Sequence, residues 1–494
     1  MLALSDTHNI NNFLDHIKRF NKAPMFIYKD RSYTYSEIHT YSFIVADWLS
    51  VNEVKTLMFS ISNSPFSISL FLASWQQKIQ CVPVNPRFIA NELLGLLKRY
   101  TTTMLIIEPH QSSQELIYHC QKHHIRLVIS NDCIALLAKL KSVNYNGAHL
   151  SSSKNDEGIT YHISSGTGGY YNFHGHYTNQ ILKYAHTRQL DYGLIKGDIS
   201  LVHLSFNHAY AFSYQLLPNI ALGNCMILAP NFEAKISLEL IQKYGVTALA
   251  LLPTMYYQLA HEAQKITLKH QLRHLSVAGD QSSQSLMNLI KNTFSTPLLN
   301  GFGMTEVFGY AQNLIESKVY NKIKIFDDIQ LRVKNIQNEE INNISIKQQH
   351  IGELYIKTPM RPISSKGEWL ATGDYGYIDN KHNLYFLGRI KDLIIKGGSK
   401  IAPMELEYYL YKLSFIRQVS VLGKKNSIWG EIVCACITPQ DNSVIVSLND
   451  VNEFLRPFLA SYKHIDRIFL YSELPLNVTG KIDRLRLKKE IENA

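Results

Sequence analysis

The chain has 494 residues, 46% of them hydrophobic and 18% charged; this excludes a single small domain and an intrinsically disordered chain, and predicts two to four packed units. The net charge of +10 is not gathered into an arm or patch, since the densest run, KIDRLRLKK (481–489), has acidic neighbours. Nucleic acid is therefore not the expected partner, and small anionic ligands are.

The first twenty residues, MLALSDTHNINNFLDHIKRF, lack the basic start and apolar core of a signal peptide. No segment approaches the roughly 20 apolar residues of a membrane span. The six cysteines (81, 120, 133, 225, 434, 436) form no CxxC pair, which predicts reduced thiols and a cytoplasmic protein. His119, Cys120, His123 and His124 carry zinc-ligand chemistry, but no second ligand cluster accompanies them.

In chain order, VKTLMFSIS (54–62) predicts a strand and PFSISLFLASWQQ a buried helix. CVPVNP (81–86) predicts a strand, ANELLGLLKRY (90–100) a helix and TMLIIE (103–108) a strand. The same alternation returns over 201–260, as LVHLSF, CMILAP, SLELIQKY and ALALLP. It predicts βαβ units around a largely parallel sheet, an α/β fold. From about 320, short alternating strands (KIKIFDDIQLRVKNI, GELYIKT, NLYFLGRIKDLIIKGG) predict a β-rich subdomain. A final α+β unit follows: PMELEYYLYKL helical, VSVLG and EIVCACITP strands, VNEFLRPFLASY helical and IDRIFLY a strand. Cys434 and Cys436 then share one face of a strand, as core residues.

Five stretches carry chemistry. SSGTGG (164–169) follows a strand-like run and offers backbone N–H groups and hydroxyls to an anion, or is an ordinary turn. NGFGMTE (300–306) has two glycines that admit a close ligand, a phenylalanine for stacking, a threonine donor and a glutamate suited to a hard cation, or is a glycine-rich strand end. WLATGDYGYID (369–379) places an aspartate at a strand end, where it accepts from a diol or shapes a turn. GRIKDLIIKGGSKIAPMELE (388–407) holds Arg389 and a Gly-Gly loop before a helix start. PLNVTGKIDR (475–484) offers one lysine at a Thr-Gly turn.

Together, in this order, the five resemble the adenylate-forming superfamily of acyl- and aryl-CoA synthetases, luciferases and peptide-synthetase adenylation domains. That family's phosphate loop matches Ser164–Gly169, and its Tyr/Phe-Gly-x-Thr-Glu motif matches Phe302–Glu306. Its TGD matches Thr372–Asp374, its hinge motif GRxxDxI matches Gly388–Ile394, and its terminal PxxxxGKxxR matches Pro475–Arg484. The resemblance covers nearly the whole chain. It implies a large N-terminal domain (1–388, with the β-rich subdomain over about 320–388), a hinge at 389–392 and a small mobile α+β domain (393–494).

It also implies the reaction. A carboxylate attacks the α-phosphate of ATP, and a thiol then displaces AMP from the acyl-adenylate. Two anions must meet, so Mg²⁺ and placed cations are required. By match, Ser164, Ser165, Gly166, Thr167, Gly168 and Gly169 hold phosphate. Gly301, Phe302, Gly303 and Met304 bind the nucleotide, with Phe302 flanking the adenine; Thr305 bonds the α-phosphate and Glu306 ligates Mg²⁺. Asp374 takes the ribose with Arg389 beside it, and Lys481 bridges carboxylate and α-phosphate. Lys391 is the hinge, Gly397 and Gly398 line the thiol tunnel, and Ala278, Gly279 and Asn300 line the acyl pocket. His208, in HLSFNHAYAF, stands between pocket and tunnel or is a core histidine.

The residues around His208 include no aspartate for an ammonium group, and VAGDQSSQ (277–284) is nearer to the aryl- and benzoate-type wording. The expected substrate is a small-molecule acyl or aryl acid and the expected acceptor is CoA. The alternatives are the phosphopantetheine of an acyl or aryl carrier protein, and a nucleotide-binding relative with weakened catalysis. The last arises because the loop's lysine is replaced: Tyr170-Tyr171-Asn172-Phe173 stand where the family has x-Pro-Lys-Gly. Losing one phosphate cation costs about 1–3 kcal/mol. The family's following histidine is met early, as His176, which implies a shortened loop.

Overall fold

The computed structural model describes residues 9–130, 133–142, 157–165, 171–279, 284–313, 322–334, 351–441, 446–476 and 482–494. Among these residues the strands form three sheets. In the first, Arg126–Ile129, Met104–Ile107, Thr56–Ser60, Gln80–Pro83 and Ile159–Ser165 run parallel, and Tyr171–Tyr177 closes the edge antiparallel. In the second, a parallel row joins Leu298–Met304, His274–Val277, Ala248–Leu251, Ile199–Val202, Cys225–Leu228 and Pro24–Tyr28.

The β-rich segment is not a sheet apart from the second. Leu298–Met304 pairs parallel with His274–Val277 through its first residues, then antiparallel with Phe308–Asn313 through Gly301–Met304. From there Lys322–Ile325, Asn383–Arg389, Leu370–Ile378, Gly352–Lys357 and Gln330–Lys334 continue the same hydrogen-bonded path. The third sheet begins at Ile394–Lys396, across the short helical turn Ile390–Asp392, and is built on the long pair Ile416–Asn426 and Gly430–Pro439.

Between the first two sheets lies the helix Pro65–Gln76, buried along its whole length. Its apolar sequence has no amphipathic stripe because it has no wet face. It starts at a Ser64–Ser67 capping box with Pro65 at the first helical position. Its buried serines bond back within the helix, Ser69 Oγ to Pro65 O at 2.8 Å and Ser74 Oγ to Leu70 O at 2.7 Å. Trp75 Nε1 donates to Thr160 Oγ1 at 2.9 Å, which joins the helix to the strand that leads into the SSGTGG loop.

Two expectations are corrected. The helix expected over VNEFLRPFLASY stops at Leu455, because Pro457 lacks a backbone N–H and restricts the residue before it. The TGD stretch is not at a strand end. It bulges inside Leu370–Ile378, where Ala371 and Tyr375 oppose Tyr355 and Glu353 and Gly373 adopts φ +69°. Cys434 and Cys436 are buried in one apolar cluster. Among the described residues, no group of histidines, cysteines and carboxylates could hold a metal on its own, and no helix is long and apolar enough to cross a membrane.

Candidate active site

The parallel strands of both sheets send the residues just past their carboxyl ends into one cavity of about 1450 Å³. Asn63, Asn85 and Glu108 come from the first sheet, and Ser205, Phe232, Met255 and Ala278 from the second. Ligand crevices at strand carboxyl ends are the rule for parallel α/β sheets, because that is where the loops converge. The segment after Ile199–Val202 enters a π-helical turn, Ala211–Leu216, whose Ser213 and Tyr214 line the wall.

Of the expected site residues, Ser164, His208, Ala278, Gly279, Asn300, Gly301, Phe302, Gly303, Met304, Thr305, Glu306, Asp374, Arg389 and Lys391 all line this cavity. Gly166, Thr167, Gly168, Gly169, Lys481 and the side chain of Ser165 lie outside the described residues. Ile482 and Arg484, just beyond the lysine in sequence, do line the cavity. Gly397 and Gly398 do not. Gly397 N donates to Trp429 O at 2.8 Å, and a Cβ there would meet the Trp429 ring at 3.1 Å.

Thr305 and Glu306 stand at the tip of the hairpin between Leu298–Met304 and Phe308–Asn313. The tip is tight: Val307 N bonds Met304 O at 3.2 Å, and Phe308 turns the chain at φ +61°. A bulky residue in the left-handed region is held there by its surroundings. The Phe308 ring is 1% exposed and packs on His162, His176, Tyr184 and Phe212. The same turn explains Gly303 differently from the sequence. A Cβ there would meet Phe308 O at 2.7 Å, so the residue must be glycine for its own hairpin, whether or not a ligand approaches.

Asp374 and Arg389 are directly opposite on neighbouring strands. Arg389 Nε lies 3.0 Å from Asp374 Oδ1, and Arg389 Nη1 donates to Thr372 O at 2.8 Å. Tyr310 Oη donates to Asp374 Oδ2 at 3.0 Å. Burial raises the Asp374 pKa above the ordinary aspartate value, with Arg389, Tyr310 and Thr372 opposing it. Despite the ion pair, Asp374 Oδ1 is a buried acceptor that receives no hydrogen bond.

At the acyl side, His208 Nε2 is 3.2 Å from Asn85 Nδ2, an arrangement in which the amide donates and the imidazole accepts. The lining residues from Tyr192 to Gly279 include no Asp, Glu, Lys or Arg. They present Tyr210, whose hydroxyl is 3.2 Å from Ser276 Oγ, and Tyr214, 2.9 Å from His274 Nε2.

Two contributors, Tyr310 and His174, were missed in the sequence, and a third, His176, was met there only as the family's following histidine. Tyr310 lies beyond the end of the GFGMTE motif, and nothing local marks it. His174 lines the cavity from Tyr171–Tyr177, and only the alternation of that strand could have pointed to it. His176 is not at the cavity: buried, its Nε2 lies 2.8 Å from Glu306 O and 3.1 Å from Met360 O, clamping the hairpin from behind.

The chain matches the AMP-binding enzyme family model over residues 13–362 and the AMP-binding enzyme C-terminal domain over 405–481. It is 24% identical to 4-coumarate–CoA ligase 1 of Arabidopsis thaliana, over 93% of this chain and 88% of that one. Among solved structures, an anthranilate CoA ligase, AuaEII, in complex with anthranoyl-AMP superposes with a TM-score of 0.84 at 18% identity, over 97% and 96% of the two chains. The o-succinylbenzoate CoA synthetase of Bacillus subtilis, in complex with ATP and magnesium, does so with a TM-score of 0.79 at 20% identity, over 96% and 99%.

Proposed function

The chain belongs to the AMP-binding enzyme family, and from that membership we propose that it is an ATP-dependent acid–thiol ligase, activating an aryl or acyl acid that carries no ammonium group as its adenylate and passing it to CoA. The observation that carries this reading is the convergence of Ser164, the Thr305–Glu306 tip, the Asp374–Arg389 pair and an uncharged aromatic wall on one cavity.

The residues suit the nucleotide. The unbonded Asp374 Oδ1 is the acceptor that a ribose hydroxyl would satisfy, since a buried carboxylate oxygen without a donor is costly. Phe302, edge-to-face with Phe386 at 5.5 Å, offers an apolar flank for the base. The residues also suit Mg²⁺. Glu306 supplies one carboxylate at the cavity, and this cation takes one or two carboxylates and completes its shell with phosphate oxygens and water. Bound there, the ion would offset the negative charge of the phosphates. Among the described residues no preformed cluster exists, so the ion would arrive with the nucleotide.

Within this proposal Thr305 donates to the α-phosphate and Lys481 brings it together with the substrate carboxylate. Ala278, Gly279 and Asn300 bound the acid, and His208 stands between acid and thiol. The absence of Asp, Glu, Lys and Arg among the lining residues between Tyr192 and Gly279 supports an acid with no ammonium group. We place the hinge at Lys391, in the turn Ile390–Asp392 between the second and third sheets. Rotation there would bring Gly397 and Gly398, which lie away from the cavity, toward the thiol.

The test is a hydroxylamine-trapping screen with ATP and Mg²⁺ across aryl, short-chain and long-chain acids, repeated with CoA. Hydroxamate from an aryl or acyl acid, and acyl-CoA from the same acid, are expected. AMP release without acyl-CoA sinks the CoA assignment. ATP binding without any hydroxamate sinks the ligase.

A further inference from the structure

The strands Ile159–Ser165 and Tyr171–Tyr177 pair antiparallel with Ser164 opposite Asn172, His162 opposite His174 and Thr160 opposite His176. Opposed residues share a face, so these six side chains form one face of the pair. Tyr161, Ile163, Tyr171 and Phe173 form the other and pack with Phe88 and Tyr100 in an apolar cluster. Asn172, where the family's lysine is missing, therefore points the same way as His174, one pleat further along.

His174 reaches across that face. Its Nε2 lies 2.8 Å from Ser164 Oγ, a diagonal cross-strand contact, and 3.4 Å from Glu306 Oε1 on the hairpin tip. One imidazole nitrogen thus stands between the strand that leads into the phosphate loop and the carboxylate expected to take the metal. Serving both partners requires the tautomer with the proton on Nε2, which donates on the side where Glu306 Oε1 and Ser164 Oγ lie; a bare Nε2 accepts from the Ser164 hydroxyl but offers the carboxylate no donor. The side chain is only 13% exposed, so the link is shielded from competing water.

We infer that His174 is a positioning residue for the polyphosphate end of the nucleotide: by holding Ser164 Oγ and the Glu306 carboxylate in register, it makes up for the lysine that the loop lacks. The inference rests on the nucleotide reading above and assigns His174 no part in proton transfer. Its effect is confined to ligands that carry the β- and γ-phosphates, because ribose and base are held elsewhere, at Asp374 and Phe302.

The test is calorimetric binding to the full chain, with Mg²⁺, of α,β-methylene-ATP, which cannot be cleaved, and of AMP. His174→Ala is expected to weaken the methylene analogue about tenfold, the scale of one hydrogen bond to a charged group, while AMP affinity stays unchanged and reports an intact fold. His174→Gln, which keeps a polar atom near the Nε2 position, restores most of the loss. So does adding Asn172→Lys to His174→Ala, which returns the cation to the loop. Equal weakening of both ligands, or no weakening of either, overturns the inference and leaves the nucleotide reading standing. So does failure of both rescues. Failure of the wild-type chain to bind either nucleotide overturns the nucleotide reading and the inference with it.

Discussion

Tyr310 donates its hydroxyl to Asp374 Oδ2 at 3.0 Å, with both residues almost fully buried. The tyrosine comes from the hairpin that carries Thr305 and Glu306, and the aspartate from the bulged strand Leu370–Ile378. One hydrogen bond thus couples the proposed ribose anchor to the proposed metal ligand.

Tyr310→Phe removes a donor to a buried carboxylate, a loss of about 1.5–3 kcal/mol for a hydrogen bond to a charged group. Burial already holds the Asp374 pKa above the ordinary value, and losing this donor raises it further. Adenosine avoids the titration of phosphate. Its binding should fall as pH drops through the Asp374 pKa, and the Tyr310→Phe variant should lose binding at a higher pH. The affinity gap between adenosine and 2′-deoxyadenosine should narrow as well; an unchanged gap would remove Asp374 from the ribose.

Phe308 anchors the hairpin tip. Phe308→Ala deletes a fully buried ring and leaves a left-handed residue without its packing, at a cost of about 3–5 kcal/mol in unfolding free energy. Denaturant melts should show that loss. Nucleotide affinity should fall further than stability alone explains, because Glu306 would no longer be aimed. A variant with wild-type affinity would mean that the tip holds its own shape.

Acid should unfold the protein through its buried histidines. Burial lowers His176, His203 and His274 each to about 4. His176 Nδ1 is buried without a partner, and His203 is bonded at both nitrogens, 2.7 Å from Ala229 O and 3.0 Å from Ser237 Oγ. In the unfolded chain these rings bind protons below about 6.5, so there the unfolded state holds more protons than the native one. Their stabilising contribution is complete above that value and is lost as pH falls toward 4, at about 1.4 kcal/mol per pKa unit per ring. His274→Gln, tested by urea melts between those limits, should flatten the slope. An unchanged slope would assign the acid sensitivity to other groups.

Lys481 comes from the resemblance alone. Lys481→Ala should lower hydroxamate formation by about 10²–10³-fold, the scale of a lost electrostatic stabiliser. Thioester formation from a supplied acyl-adenylate should change little. Equal loss in both half-reactions would refute the bridging role.

Much of the site was legible because its motifs are local. Thr305 and Glu306 sit together in sequence and at one turn, and the Asp374–Arg389 pair falls inside two recognisable stretches. What the sequence left open was the purpose of a residue. Gly303 is glycine because Phe308 O is its neighbour, and the TGD aspartate emerges from a bulge, a departure from regular pairing that composition does not encode.

By itself the sequence determined the alternation of strand and helix, the order of the motifs and their family, because periodicity and short motifs depend only on neighbours along the chain. The tertiary structure decided which distant residues meet. Leu298–Met304 changes partners halfway along and carries the hairpin to the cavity, Tyr310 finds Asp374, and His174 finds Ser164 and Glu306. Those contacts depend on strand register and sheet order, which are set by burying a whole face at once.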